Sequence, residues 1–242
     1  MNQAVFYRQT SFRFVIIAVL WLLITIPVWA AVSASTAPRI TTPEQVFALY
    51  GQKVEFDVYR SGRSIGSHRL EFSEEQGMLR VDVEMDLHIR VLAVFNYRYN
   101  YQAIEWWKDG VLQQLEVQVN DDGDLTRLSA FLEGDQLRLV EGDETRWLPN
   151  DLITTNHWNI AILSQEAVLN TLTGESSRLS VEFLGDTKAP AGGEEVAVRL
   201  YRLGGELEDT QTWYDENGRW LGMEFSARDD SRIRLINLTI GG

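Results

Sequence analysis

Met78-Leu79-Arg80-Val81-Asp82-Val83-Glu84-Met85-Asp86-Leu87-His88-Ile89-Arg90 decides the fold. Apolar side chains stand at every odd position from 79 to 89, and charged or polar ones at every even position between them. A period of two means a β-strand with one buried and one wet face, the pattern of an antiparallel sheet. The alternation recurs in Phe95-x-Tyr97-x-Tyr99-x-Tyr101 and in Val111, Gln113, Leu115, Val117 and Val119. Turn signals fall between the runs, among them Ser61-Gly62, Gln76-Gly77, Asp109-Gly110, Asp122-Gly123, Gly192-Gly193 and Asn217-Gly218. About eleven strands joined by tight turns make an antiparallel meander. Only two short helices accompany them. Thr42-Pro43-Glu44 caps one that ends near Gly51, and Thr154-Thr155-Asn156 caps another over 157–163. Two short helices cannot cover so many apolar faces, so the expected fold is all-β: a strongly curved sheet forming a barrel or half-barrel. Barrels of this strand number can be wide enough to keep a cavity.

The N-terminus reads differently. Arg8 and Arg13 precede the apolar run Phe14 to Val28, and Ala30, Ala31, Ser33 and Ala34 come after it. A cationic start, an apolar middle and small residues at the cut are the three parts of an export signal. The expected organisation is a signal peptide over 1–30, a linker over 31–41 and one β-barrel-like domain over 42–242. The mature chain is expected to start between Ala31 and Ser35 in the periplasm, touching the membrane only through the signal segment before cleavage. An uncleaved inner-membrane anchor is the alternative. Removing residues 1–30 takes away two arginines and no acid, moving the net charge from −13 to −15. Such a surface repels phosphate backbones, which argues against nucleic acid. The absence of cysteine from a chain with an export signal favours a bacterial envelope and removes thiolate chemistry.

Further motifs carry a resemblance. Phe56-Asp57-Val58-Tyr59 is followed by Gly62, Ile65-Gly66 and His68, and Tyr97-Arg98-Tyr99 by Glu105, Trp107 and Asp109-Gly110. Further on come His157-Trp158-Asn159, Leu172-Thr173-Gly174-Glu175, Trp213-Tyr214, Gly218 and Trp220-Leu221. With these the chain resembles a family of exported proteobacterial proteins known only as a domain of unknown function, over roughly residues 55–238. The resemblance implies the export but supplies no activity. More loosely, it is similar to envelope half-barrels that hold lipids or lipoproteins. It departs from the family in having no mid-domain cysteine pair and in placing Ile160, not proline, after Asn159.

Several motifs invite chemistry and fail on context. Gly62-Arg63-Ser64-Ile65-Gly66 has the spacing of a hydrolase nucleophile elbow, but Ser67 to Phe72 alternate as a strand rather than opening a helix. Asn120, Asp122 and Asp124 open like a calcium loop, yet Leu125 and Phe131 stand where its glycine and bidentate acid belong. His68, His88 and His157 share no ligand spacing, so no metal and no cofactor is expected.

Two places remain. Counting by twos from Phe95 sets Tyr97, Tyr99, Tyr101, Glu105 and Trp107 on one face, so a carboxylate lies among aromatic rings and needs donors there. It is either a structural pair or a polar anchor in a cavity, and a bulge near Ala103 would turn it outward. His157, Trp158 and Asn159 form either a lid at the barrel mouth or a plug. The reading is a non-catalytic periplasmic protein carrying an apolar, fatty-acyl or lipid-like ligand on these eight residues. The alternative is an envelope interaction protein with a filled core that binds a protein partner. A hydrolase-type enzyme with Glu105 and His157 as acid–base pair comes third.

Overall fold

The computed structural model describes residues 42–91, 95–227 and 229–239. The expected signal peptide and linker lie outside them. Thr42 caps α1 (Pro43–Tyr50) through a capping box in which its hydroxyl accepts from Gln45 N and Gln45 answers to the Thr42 backbone.

Among the described residues, all fifteen strands belong to one sheet. The first strands are β1 (Lys53–Arg60), β2 (Arg63–Glu75), β3 (Met78–Val91), β4 (Phe95–Lys108) and β5 (Val111–Asp121). They are followed by β6 (Asp124–Glu133), β7 (Gln136–Glu141), β8 (Glu144–Pro149), β9 (Ile153–Thr154) and β10 (Ala167–Asn170). The last are β11 (Glu175–Ala191), β12 (Glu194–Gly205), β13 (Thr210–Tyr214), β14 (Trp220–Ser226) and β15 (Arg232–Asn237). Their spatial order is β8 to β1, then β15 down to β9, so two meanders meet where β1 pairs with β15. All pairings are antiparallel except β9 with β10. The sheet is curved and open, a half-barrel rather than a closed barrel. It exceeds the expected eleven strands because strands such as β9, with two residues, and β10, with four, are too short to alternate legibly.

The hairpin turns are those the sequence marks. Asp109 (φ 52°) and Gly110 (φ 76°) both take positive φ, which matches a two-residue turn to the strand twist. Gly66 ends the elbow reading: Ser64 lies on β2, its hydroxyl donating to Asp57 Oδ1 at 2.7 Å. A Cβ on Gly66 would sit 1.9 Å from the Asp86 carbonyl of β3, so glycine is there for close strand approach.

On β3 the expected alternation holds, with Leu79, Val81, Val83 and Leu87 buried. On β5 it does not. A bulge opposite Trp106 and Trp107 makes Gln113 the extra residue, and Leu112, not Val111 or Gln113, enters the core.

The expected helix over 157–163 is instead a 3-10 turn, Ile160–Ser164, capped by Asn159, whose side chain accepts from Ala161 N at 3.1 Å. His157 takes φ 60°, a left-handed conformation that no α-helix includes. Leu152 to Thr154 and Asn156 to Ile162 are all buried. The segment fills the half-barrel from within.

Its position follows from topology. β8 and β9 are the two edges of the sheet, yet only residues 150–152 join them. A link so short reaches roughly 10–15 Å, so the two edges lie near each other. Across that seam the β10–β11 turn packs on the other meander: a Cβ on Gly174 would come within 2.9 Å of Leu139 Cδ2 on β7. Arg146 of β8 ties the same turn, bonding to Glu141 and donating to the Thr173 carbonyl at 3.3 Å.

Candidate functional site

Strand β4 shows no bulge at Ala103, so the parity argument holds and Glu105 faces the interior, fully buried. Its register neighbours are Val81 and Leu115. A carboxylate there loses its water, and that desolvation pushes its pKa up from the usual range. Donors offset the cost. Trp107 Nε1 and Trp158 Nε1 donate to Oε2 at 2.8 and 2.9 Å, and Asn156 Nδ2 donates to Oε1 at 2.5 Å. The Thr154 hydroxyl is the fourth partner. Both carboxylate oxygens are thus engaged, three of four partners coming from the buried segment.

Further bonds hold that segment in place. Tyr101 donates to Asn156 Oδ1 at 2.9 Å, which orients the amide so that its nitrogen faces Glu105, and the Tyr101 oxygen lies 2.8 Å from Thr171 Oγ1. From α1, the Tyr50 hydroxyl donates to the Trp158 carbonyl at 2.6 Å and accepts from Trp220 N at 2.9 Å. Tyr214 donates to the His157 carbonyl at 3.0 Å. The Trp158 ring meets Trp107 and Phe72 edge-on, with centroids at 5.7 and 6.0 Å.

His157 has a different neighbourhood. Its ring stacks on Trp220 at 5.5 Å, and His68 meets the same indole edge-on at 5.7 Å. Burial lowers both pKa values, His157 to about 4 and His68 to about 3, and the proximity of His157 adds to the effect on His68. Neither Nδ1 finds a hydrogen-bond partner among the described residues.

Of the eight sequence-derived residues, the structure gathers Tyr101, Glu105, Trp107 and Trp158 into one network. Asn159 is buried as the cap of the 3-10 turn, and His157 belongs to the Trp220 stack. Tyr97 and Tyr99 are half-buried further along β4, where Tyr97 donates to Asp121 Oδ1 at 2.6 Å. The acid–base pair of Glu105 and His157 is not assembled: Glu105 bonds to Trp107, Asn156 and Trp158, while the His157 ring lies against Trp220. Sequence reasoning missed Thr154, Asn156, Thr171, Tyr50, Tyr214 and Trp220. Thr154 and Asn156 are legible only as helix caps, and their role depends on a contact with β4 some fifty positions away.

A family model described as a domain of unknown function (DUF6134) matches residues 56–237. The chain belongs to that family. No curated protein and no solved structure matches it. The matched DUF6134 region runs from β1 to the end of β15 and so contains Glu105 and its four partners.

Two hollows among the described residues lie away from that network. One, of about 520 Å³, opens over β4 to β7, and the other, of about 310 Å³, lies between Asp86, Asn100 and Asn120. Neither is lined by Glu105, His157, Trp158 or Asn159.

Proposed function

We propose that this is a non-catalytic protein of the cell envelope that keeps its half-barrel interior as a solid core and recognises its partner from outside. The observation that carries the reading is the saturation of Glu105 by donors from the segment that fills the half-barrel. An apolar ligand in that space would have to displace Trp158 and strand the carboxylate, at a cost of several kcal/mol. The same saturation speaks against acid–base catalysis, which needs a carboxyl within reach of a substrate proton. Residence in the envelope rests on the cationic, apolar and small-residue order of residues 8–34.

Native mass spectrometry of gently purified mature protein, followed by solvent extraction, tests the reading. The expected result is a clean apo mass, and no saturable uptake of a fluorescent fatty-acid probe after delipidation. A co-purifying lipid, or saturable uptake of the probe, would return the function to apolar-ligand carriage.

A further inference from the structure

We infer that the hollow on the outer face of β4 to β7 binds a neutral oligosaccharide, an inference that rests on the reading that recognition is external. Strand register builds this face in rows. One row runs Glu84, Gln102, Gln118 and Arg127 across β3 to β6, and the next runs Asp82, Ile104, Glu116, Ser129 and Val140 across β3 to β7. The hollow of about 520 Å³ lies over their β4–β7 part and is lined by Gln102, Ile104, Glu116, Gln118, Arg127 and Ser129, among others. Its volume is within the roughly 300–1,000 Å³ of small-molecule sites.

The lining selects among ligands by its chemistry. The protein carries a net charge of −13, yet the lining holds one acid and one base, so the hollow is locally balanced. Balanced charge favours neither a polyanion nor a polycation. Amides, a hydroxyl and a fixed ion of each sign offer donors and acceptors side by side, which is what a ring of hydroxyl groups requires. These groups are already oriented. Arg127 Nε donates to Gln118 Oε1 at 2.9 Å, and Gln114 Nε2 donates to Glu116 Oε1 at 2.9 Å. Those bonds use Gln118 Oε1 and Glu116 Oε1, leaving the Gln118 amide nitrogen, the terminal guanidinium nitrogens of Arg127 and Glu116 Oε2 with capacity for a ligand.

The third row lies beside the hollow, outside its lining. It runs Arg80, Trp106, Gln114, Phe131, Arg138 and Trp147 from β3 to β8. Arg80 lies over Trp106 and Arg138 over Phe131, at 5.4 and 5.9 Å, while Trp147 on the edge strand is 51% exposed. Within the hollow itself Ile104, Val117 and Val140 stand beside the amides, which suits the apolar face and polar edge of a sugar ring.

The test is titration calorimetry of the mature protein with cellotetraose, maltotetraose and tetra-N-acetylchitotetraose, followed by a neutral-glycan array. Saturable binding of at least one glycan is expected. Gln118→Ala and Arg127→Ala should each weaken it roughly tenfold or more without moving the melting temperature. Arg202→Ala, on the other meander, should leave affinity unchanged. Absence of binding to every glycan overturns the inference, as does binding that both hollow variants leave intact. A delipidated protein that takes up neither glycan nor fatty-acid probe defeats only this inference, whereas uptake of the fatty-acid probe defeats the external reading itself.

Discussion

At the scale of the residue, Glu105 is held by donors rather than by a cation, and this predicts how its replacements rank. A glutamine side chain at this position would keep one carbonyl oxygen for two donors but set an amide N–H₂ against the others. Glu105→Gln should therefore cost about 1–3 kcal/mol, and Glu105→Leu, which leaves every donor unanswered, should cost more. Urea denaturation checks the order, and equal, negligible effects would place the side chain in water. The histidines predict a pH dependence. Both are neutral when folded, and each gains a proton on unfolding below about 6.5, its open-chain value. Their contribution is complete above pH 6.5 and declines as pH falls towards about 4 for His157 and about 3 for His68. The slope is at most about 1.4 kcal/mol per pH unit for each ring. Glu105 has the opposite sign, since its raised pKa favours the folded state below 4.5 and that contribution is lost as pH rises. Two rings against one carboxyl leave a net loss of stability on acidification from pH 6.5 to 4.5. His157→Asn, which removes one ring while tolerating φ 60°, should flatten that slope. An unchanged slope would mean that His157 does not titrate with unfolding.

At the scale of the element, Trp158→Ala tests whether the segment from Leu152 to Leu163 is structure or gate. As structure, the change should cost about 3–5 kcal/mol in a melting or denaturant series. A small cost, with the sheet still folded, would mean that the segment moves freely. This segment also shows where the sequence stops being legible. Thr42-Pro43-Glu44 states its own helix start, because a cap is made within one turn of chain. The β3 alternation states its face, because successive side chains on a strand point to opposite sides of the sheet. Glu105 is inward for the same reason, and its burial follows from parity alone. The β5 bulge at Gln113 is invisible, since nothing in Val111-Leu112-Gln113-Gln114 marks which residue is extra until β4 is laid beside it. His157-Trp158-Asn159 stands out as an interruption of the strand pattern, but it does not form the expected helix. Asn159 caps a later turn, and His157 turns the backbone left-handed to aim Trp158 at Glu105. Local rules read local bonds. Three of the four donors of Glu105, from Thr154, Asn156 and Trp158, are long-range, and so are the two rings that share Trp220.

At the scale of the whole molecule, the sheet is two sequential meanders with one distant join. Strands β1 to β8 pair with their neighbours in sequence, as do β9 to β15, whereas β1 meets β15 across nearly the whole domain. Hairpins close short loops, while the β1–β15 pairing must wait until a loop of about 180 residues is closed. The buried segment depends on that join, because it bonds to β4 of one meander and to β13 of the other, through Glu105 and Tyr214. Folding should therefore form hairpins within the meanders first, then pair β1 with β15, and last seat Trp158. The order has a kinetic signature. Leu235, fully buried on β15 opposite Val58 of β1, should lose about 2–5 kcal/mol on change to Ala, expressed mainly as faster unfolding. Val83→Ala, within the β2–β3–β4 hairpins, should instead slow refolding in proportion to its cost. Stopped-flow chevrons of the two variants decide it. If Leu235→Ala slows refolding as strongly as Val83→Ala, the two meanders join before the transition state, and the filled interior is assembled early rather than last.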